Sequence, residues 1–170
     1  LDGRWYISRY DSAGDGALWR TDGTVQGTVL SLDLAPDTDY ASAPEYLTVW
    51  TDRLYFFAAV DGFGSELVVT DGTVAGTQVV HDIAPGPAGL LARGVATTDD
   101  ALWFVAWTEA LGMRLWRSDG SAGGTTTVTG AWADGPVLAD PRIAVWDESV
   151  YLLARDVDLG VQLWRTLEDG

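Results

Sequence analysis

An eleven-residue stretch occurs three times along this chain, and a shortened copy follows the third. The copies are "LWRTDGTVQGT" at residues 18–28, "LVVTDGTVAGT" at 67–77, "LWRSDGSAGGT" at 115–125 and "LWRTLEDG" at 163–170. A segment that returns in this way indicates a structural unit used several times, and it is not the pattern of a single active site.

The copies are evenly spaced. Aromatic residues stand at Tyr6, Tyr55, Trp103 and Tyr151, in steps of 49, 48 and 48 residues, and each lies 12 residues ahead of the leucine that begins a copy. A further set of apolar positions, Leu47, Val95 and Ile143, follows the same step of 48. Three markers in phase predict a repeat of this length.

Within one repeat the residue pattern is that of β-strands. A short apolar run at 47–50 precedes "RLYFFAAV" at 53–60, and strands are also expected at 65–70 and 77–83 after Gly-rich turns. The apolar and aromatic residues that follow Arg53 in this segment are typical of a strand buried on both faces. The matching second strands of the four repeats are expected near 4–9, 53–59, 101–106 and 149–154. No segment combines helical periodicity with capping signals.

Four short antiparallel strands in a repeat of this length predict the blade of a β-propeller. We therefore expect an all-β chain of about three and a half blades. Strands two to four of a partial blade are expected at 1–46, complete blades at 47–94 and 95–142, and strands one to three of a partial blade at 143–170. Propellers usually close with four to eight blades, so we expect a segment of a longer propeller, or a piece that completes its ring with another chain.

The Asp-Gly pairs of the repeated stretch predict tight turns, because aspartate accepts local N–H groups and glycine supplies a positive φ. The predicted structural turn residues are Asp22, Gly23, Asp71, Gly72, Asp119 and Gly120. We expect the three aspartates to serve the turns, with no metal ion and no catalytic role. The in-phase tryptophans are expected to pack in the core; they are Trp19, Trp50, Trp116, Trp146 and Trp164.

The sequence also resembles a known family. "LWRTDGTVQGT" and "ELVVTDGTVAGTQVVHDIAPG" are similar to the ELWxxDGTxxGT repeat of large bacterial surface and secreted proteins. The third copy has Ser121 in place of threonine and lacks the "DI-PG" tail, and the fourth inserts Leu167 and Glu168 before its Asp-Gly pair. The resemblance implies repeat architecture and an extracellular or cell-surface location. It implies no catalytic residues.

The charge balance excludes two classes of partner. Ten basic residues, all arginine, stand against 25 acidic ones, for a net charge of −15. Nucleic acids and anionic membranes both require a cationic surface, so neither is expected as a partner. No apolar run approaches the roughly 20 residues of a membrane span, so no membrane insertion is expected. The absence of cysteine excludes disulfides and thiolate metal sites.

The candidate binding residues are mostly acids on the loops between second and third strands: Asp11, Asp61, Glu109, Asp156 and Asp158. Two tryptophans out of phase with the repeat are added to them, Trp107 near a loop and Trp132 in the tail of the third repeat. Converging carboxylates suit calcium, and an exposed indole suits a sugar ring. Because no loop has a calcium-binding spacing, a solvated acidic rim is the favoured interpretation. No cofactor is expected.

We therefore expect a non-enzymatic extracellular or cell-surface propeller segment that acts as a scaffold or binding module, since no catalytic motif occurs. The alternatives are a sugar- or calcium-binding lectin-like propeller and a propeller glycosidase or lyase. The expected partner is protein: the rest of a parent chain, a second copy or another subunit. The contact surfaces are expected to include Tyr6, Leu18, Tyr151 and Trp164.

Overall fold

The computed structural model of the chain describes residues 3–10, 16–34, 43–128, 139–156 and 160–166. These residues form 14 β-strands in four antiparallel sheets and contain no helix. The prediction of an all-β chain built from antiparallel sheets is therefore confirmed.

Sheets 1 and 2 belong to a first compact unit, Leu1–Gly89. Sheet 1 contains β1 (Trp5–Tyr10), β2 (Gly16–Thr21) and β3 (Val29–Leu32). Sheet 2 contains β4 (Glu45–Trp50), β5 (Arg53–Val60), β6 (Gly64–Thr70) and β7 (Gln78–His81). In both sheets each strand pairs with the next one along the chain, as short turns between successive strands require.

Sheets 3 and 4 belong to a second compact unit, Leu90–Gly170. Sheet 3 contains β8 (Leu91–Thr97), β9 (Leu102–Thr108), β10 (Gly112–Ser118) and β11 (Thr126–Thr127). Sheet 4 contains β12 (Ala139–Trp146), β13 (Ser149–Asp156) and β14 (Gly160–Arg165). These strands also pair in chain order.

The strands predicted from the aromatic marker correspond to β1, β5, β9 and β13, and their ends agree to within two residues. In β5 the five consecutive residues 54–58 are buried, and in β9 the five residues 102–106 are buried. Both strands lie inside a four-stranded sheet with side chains covered on each face. This burial explains why their sequences are continuously apolar and do not alternate.

Two-residue turns join β4 to β5 and β12 to β13. Thr51 and Asp52 have φ values of 49° and 58°, and Asp147 and Glu148 have 48° and 54°. Positive φ at both central residues is the type I′ geometry, whose twist matches that of the flanking strands. The hairpins therefore keep their register although neither turn contains a glycine.

The core of the first unit lies between its two sheets. Leu18 of sheet 1 packs with Leu54, Phe56 and Ala58 of sheet 2, and Leu32 and Val68 complete the cluster. Leu18 is fully buried, because it lies on the face of β2 that sheet 2 covers. The expectation that Leu18 forms part of a surface for contact with further protein is therefore wrong.

The core of the second unit also lies between its two sheets. Leu115 of sheet 3, with Trp103 and Val105, packs against Val150, Leu152 and Ala154 of sheet 4. Leu115 has the same position in its copy of the repeated stretch as Leu18 in the first copy.

The two units use equivalent positions for this packing. The sheet 4 residues that cover Leu115 are numbered 150, 152 and 154, and each is 96 residues after its counterpart in sheet 2, at 54, 56 and 58. The same face of the first sheet therefore meets the same face of the second sheet in both units.

Candidate functional site

The turn after β2 is closed by hydrogen bonds of its own side chains. Asp22 Oδ1 accepts the backbone N–H of Thr24 at 2.9 Å and the Thr24 hydroxyl at 2.7 Å. The Thr24 hydroxyl also accepts the N–H of Gly27 at 2.9 Å. The Asp22 carboxylate thus fixes Thr24, and Thr24 in turn binds Gly27 on the far side of the turn. This is the local hydrogen bonding expected of an Asx-turn.

A pair of threonine hydroxyls joins the two ends of the same turn. Thr28 donates its hydroxyl to the Thr24 carbonyl at 2.7 Å, so the single proton of that hydroxyl is committed. Thr21, whose hydroxyl lies 2.7 Å from that of Thr28, is therefore the donor between them. Thr21 Oγ1 accepts the N–H of Gly23 at 3.0 Å.

The turns after β6 and β10 have the same hydrogen bonds at the same positions. Asp71 accepts the N–H and hydroxyl of Thr73, and Asp119 accepts those of Ser121, so serine replaces threonine without loss of a bond. These bonds, the one from the side-chain hydroxyl first, hold the pKa of all three aspartates below the ordinary value of 3.8. The carboxylates are exposed and ionised.

Each turn requires glycine at two positions, and the physical reason differs between them. The glycine after the aspartate has a φ of 93° at Gly23, 93° at Gly72 and 87° at Gly120, which other residues rarely adopt. The later glycines are Gly27, Gly76 and Gly124. A Cβ atom at any of them would overlap the carboxylate of the aspartate that begins the turn. Sequence reasoning assigned the first glycine and missed the second, although both recur in every complete copy.

Each of the three turns uses its carboxylate for local hydrogen bonds. Within the part of the chain that the structure describes, no group of three or more histidines, aspartates and glutamates is placed to hold a metal ion.

The predicted acidic binding residues are only partly described. Asp61 and Glu109 are exposed in the turns after β5 and β9. Asp156 was expected in a loop, but it is the last residue of β13 and pairs with Gly160, because the hairpin ladder extends that far. Asp11, Trp132 and Asp158 lie outside the described residues.

Trp107 lies near the end of β9 with 39% of its surface exposed. It stands between Leu91 of β8 and Met113 of β10 in register, so the three side chains form an apolar row on one face of sheet 3. Met113 packs on the core of the second unit. The row therefore runs from the covered interior to solvent, with Trp107 at its centre and Glu109 two residues further on.

Two of the in-phase tryptophans, Trp116 and Trp146, differ in burial. Trp116 is buried and stacks on Phe104, with ring centroids 6.0 Å apart and planes 5° apart. Trp146 is 72% exposed and contacts the ring of Tyr151 at 6.5 Å. The expectation of core packing is therefore wrong for Trp146, because this residue ends β12 beside the hairpin turn and its side chain faces solvent.

Glu66 is a buried acid that sequence reasoning missed. Its side chain is fully buried on β6, where Oε2 accepts the N–H of Ile83 and Oε1 accepts that of Ala84, both at 2.9 Å. Burial raises the pKa of Glu66 to about 7, although the two hydrogen bonds act in the opposite direction. The available signal was a lone acid inside an apolar strand, since a buried carboxylate requires donors.

The described residues include no helix with the length and apolarity needed to cross a membrane. No protein-family model matches the chain, and no curated protein matches it.

Proposed function

We propose that this chain is a segment of a β-propeller, with sheets 1 to 4 as successive blades, and that it acts as a non-enzymatic scaffold or binding module. The observation that supports this most directly is the packing between sheets. In each unit, equivalent faces of two consecutive sheets form the core. The blades of a propeller also pack with a face of one sheet on a face of the next.

The proposed partner is protein, and the proposed location is outside the cell or at its surface. The similarity of the repeated stretch to surface and secreted repeat proteins supports the location. The net charge of −15 supports a protein partner over nucleic acid or an anionic membrane. Exposed apolar side chains on the outer faces of sheets 1 and 4 support contact with a further folded surface.

The blade arrangement predicts equal distances between equivalent points on consecutive sheets. The chain has no cysteine, so pairs of introduced cysteines accept spin labels specifically. Val25, Val74 and Ala122 have the same position in three turns, and all are exposed. Electron–electron double resonance measures the distance between the two spin labels of a double variant. This distance should be the same for Val25→Cys with Val74→Cys as for Val74→Cys with Ala122→Cys. Clearly different distances would contradict the propeller arrangement.

A non-enzymatic role predicts no turnover of glycosides or polysaccharides. Asp61 and Glu109 are exposed acids on the turns between second and third strands, where the enzymatic alternative places its catalytic acids. Hydrolysis above background that disappears in Asp61→Asn or Glu109→Gln would replace the scaffold proposal with an enzymatic one.

A sugar-binding role is the second candidate, and the exposure of Trp107 favours it. An indole stacks on a sugar ring when its face is accessible and its surroundings are rigid. Titration of soluble oligosaccharides, followed by tryptophan fluorescence, should give saturable binding that Trp107→Ala abolishes. Trp146→Ala is the matched control, because Trp146 is also exposed but lies beside a hairpin turn. Equal loss in both variants, or no binding, would contradict this candidate.

A further inference from the structure

We propose that the Asp61–Gly62 pair, in the turn between β5 and β6, is a site of covalent modification at which the aspartate isomerises spontaneously to isoaspartate. The reaction needs no enzyme and no cofactor. It goes beyond the proposed function, because it depends only on the chemistry of one turn in sheet 2. The structure describes four Asp-Gly pairs in full, and they differ in whether the two reacting groups are engaged in hydrogen bonds.

The reaction is a ring closure followed by a hydrolysis. The backbone nitrogen of Gly62 attacks Cγ of Asp61 and forms a new N–Cγ bond. One carboxyl oxygen leaves as water, with one proton from the N–H and one from the neutral carboxyl group, and a five-membered succinimide remains. A water molecule then cleaves the bond between this nitrogen and the backbone carbonyl carbon of Asp61. The main chain now runs through Cβ and Cγ, and the mass of the protein is unchanged.

Both reacting groups of this pair are available. Phe63 donates its backbone N–H to the carbonyl of Val60 at 3.0 Å, so Asp61 and Gly62 are the central residues of a β-turn. The φ of Gly62 is 81° and that of Asp61 is not positive, which is the type II geometry. The turn bond therefore uses the N–H of Phe63 and not that of Gly62. Asp61 is exposed, and no residue that the structure describes donates a hydrogen bond to its carboxylate.

The glycine nitrogen is engaged in the other three pairs, which belong to the repeated turns. The N–H groups of Gly23, Gly72 and Gly120 donate to the hydroxyl of the residue two positions earlier, at 3.0, 2.9 and 3.1 Å. Attack on the aspartate would require this bond to break, because the nitrogen must turn towards Cγ and lose its proton.

The carboxylate is engaged in the same three pairs. Its Oδ1 atom accepts the hydroxyl and the backbone N–H of the residue two positions later, as described above. These bonds, the one from the hydroxyl first, hold the pKa of each aspartate below its ordinary value. Since only a neutral carboxyl group can release its oxygen as water, a carboxylate that stays ionised resists the ring closure.

Other features that govern this reaction are alike in the four pairs. Glycine follows each aspartate, so no Cβ obstructs the attack at any of them. The φ of 81° at Gly62 is close to the values of 87–93° at the glycines of the repeated turns. All four aspartates are exposed. The hydrogen bonds of the reacting groups are therefore the feature that sets Asp61 apart.

The modification changes one of the candidate binding residues. The main chain gains one atom between β5 and β6, and the free carboxylate of Asp61 is attached to Cα and no longer to Cβ. Binding that depends on the position of this carboxylate should decline as the protein ages.

Peptide mapping of the aged wild-type chain tests the proposal. Trypsin cleaves after arginine, so Asp61 and Asp71 are recovered in one peptide, residues 54–93. Electron-transfer fragmentation distinguishes isoaspartate from aspartate at each position, because it cleaves the Cα–Cβ bond that has entered the main chain. After incubation of the folded chain at mildly acidic pH, isoaspartate should form at Asp61 at least about tenfold faster than at Asp71, where hydrogen bonds of both groups must break first.

The same chain unfolded in urea is the matched control. Without the turns, the two pairs should isomerise at similar rates. Thr73→Ala removes the hydroxyl that donates to Asp71, so in the folded variant the rate at Asp71 should rise several-fold and that at Asp61 should not change. Circular dichroism establishes that the variant is folded; if it is not, the comparison of folded and unfolded wild type decides.

Three results would overturn the proposal. The first is equal rates at Asp61 and Asp71 in the folded wild type. The second is a folded chain in which Asp61 stays unmodified while the unfolded chain reacts. The third is a preference for Asp61 that persists in urea, since it would then come from the neighbouring sequence and not from the hydrogen bonds of the turns.

Discussion

Glu66 Oε2 accepts a hydrogen bond of 2.9 Å from the backbone N–H of Ile83, and this bond fixes where the fourth strand of sheet 2 ends. The neighbouring N–H of Ala84 donates to Oε1, so one carboxyl group holds two successive residues just beyond β7. The chain leaves the sheet there because its N–H groups are directed to a side chain and not to a ladder partner.

The buried position of Glu66 predicts a specific pH dependence of stability. Burial raises its pKa from 4.5 to about 7, so between these values the folded protein holds a proton that the unfolded chain has released. Glu66 makes its full contribution to the free energy of unfolding below pH 4.5. This contribution is lost as the pH rises through about 7. A shift of this size corresponds to up to about 3 kcal/mol.

Urea unfolding of the wild type and of Glu66→Gln across this range measures the effect. The wild type should lose stability from pH 4.5 towards 7, and the variant, which does not titrate, should lack this slope. Asp22, Asp71 and Asp119 have lowered pKa values, so their effect on the pH dependence of stability falls below this range. Parallel profiles of the two proteins would show that Glu66 does not titrate here.

Adjacent glycines in the turn after β10 provide a matched pair of substitutions. A Cβ at Gly124 would overlap the Asp119 carboxylate, whereas a Cβ at Gly123 meets no atom within 4 Å. Gly124→Ala should therefore lower the free energy of unfolding by about 1–3 kcal/mol, because the carboxylate must leave its hydrogen bonds. Gly123→Ala, which recreates the residue present at Ala75, should be neutral or stabilising by up to about 1 kcal/mol. Equal effects in chemical denaturation would refute this account of the second glycine.

The strand pattern could be predicted from the sequence because it depends on local composition. The apolar run in β5 and the Asp-Gly turns are visible without knowledge of any contact. The predicted end of the fourth strand at residue 83 was too late, since β7 ends at His81. The reason is the hydrogen bond from Ile83 to Glu66, which joins residues 17 apart and leaves no local signal.

The repeat also could not predict which faces are covered. Leu115 and Leu163 have the same position in their copies, yet Leu115 is buried and Leu163 is exposed. The difference is the presence of sheet 4 against Leu115. Apolar residues on a face indicate that the face is suited to burial. Whether another sheet covers that face depends on the arrangement of the sheets.

The turn aspartates are predicted to stabilise the fold without a metal ion. Asp71→Asn retains an oxygen that accepts the N–H of Thr73, so it should cost less than about 0.5 kcal/mol, whereas Asp71→Ala loses both bonds and should cost about 1–2 kcal/mol. Calcium should leave the melting temperature of all three proteins unchanged. A calcium-dependent rise in the wild type that is absent from Asp71→Asn would establish a metal site instead.

Substitutions in the type I′ turn between β4 and β5 are predicted to increase the stability of the fold. Thr51 and Asp52 both have positive φ, and a β-branched residue such as threonine is strained there. Asn-Gly is the preferred pair for this geometry, so the double variant Thr51→Asn, Asp52→Gly should raise the free energy of unfolding by about 1 kcal/mol.

The equivalent turn between β12 and β13 provides the comparison for that variant. Its second residue, Glu148, accepts the backbone N–H of Asp99 at 2.8 Å through Oε2. Asp147→Asn with Glu148→Gly relieves the same backbone strain but removes this bond, so its gain should be smaller by about 0.5–1.5 kcal/mol. Thermal and urea unfolding of both double variants measure the difference. If the second pair stabilises as much as the first, the Glu148–Asp99 bond contributes nothing to stability, and backbone geometry alone sets the effect of both turns.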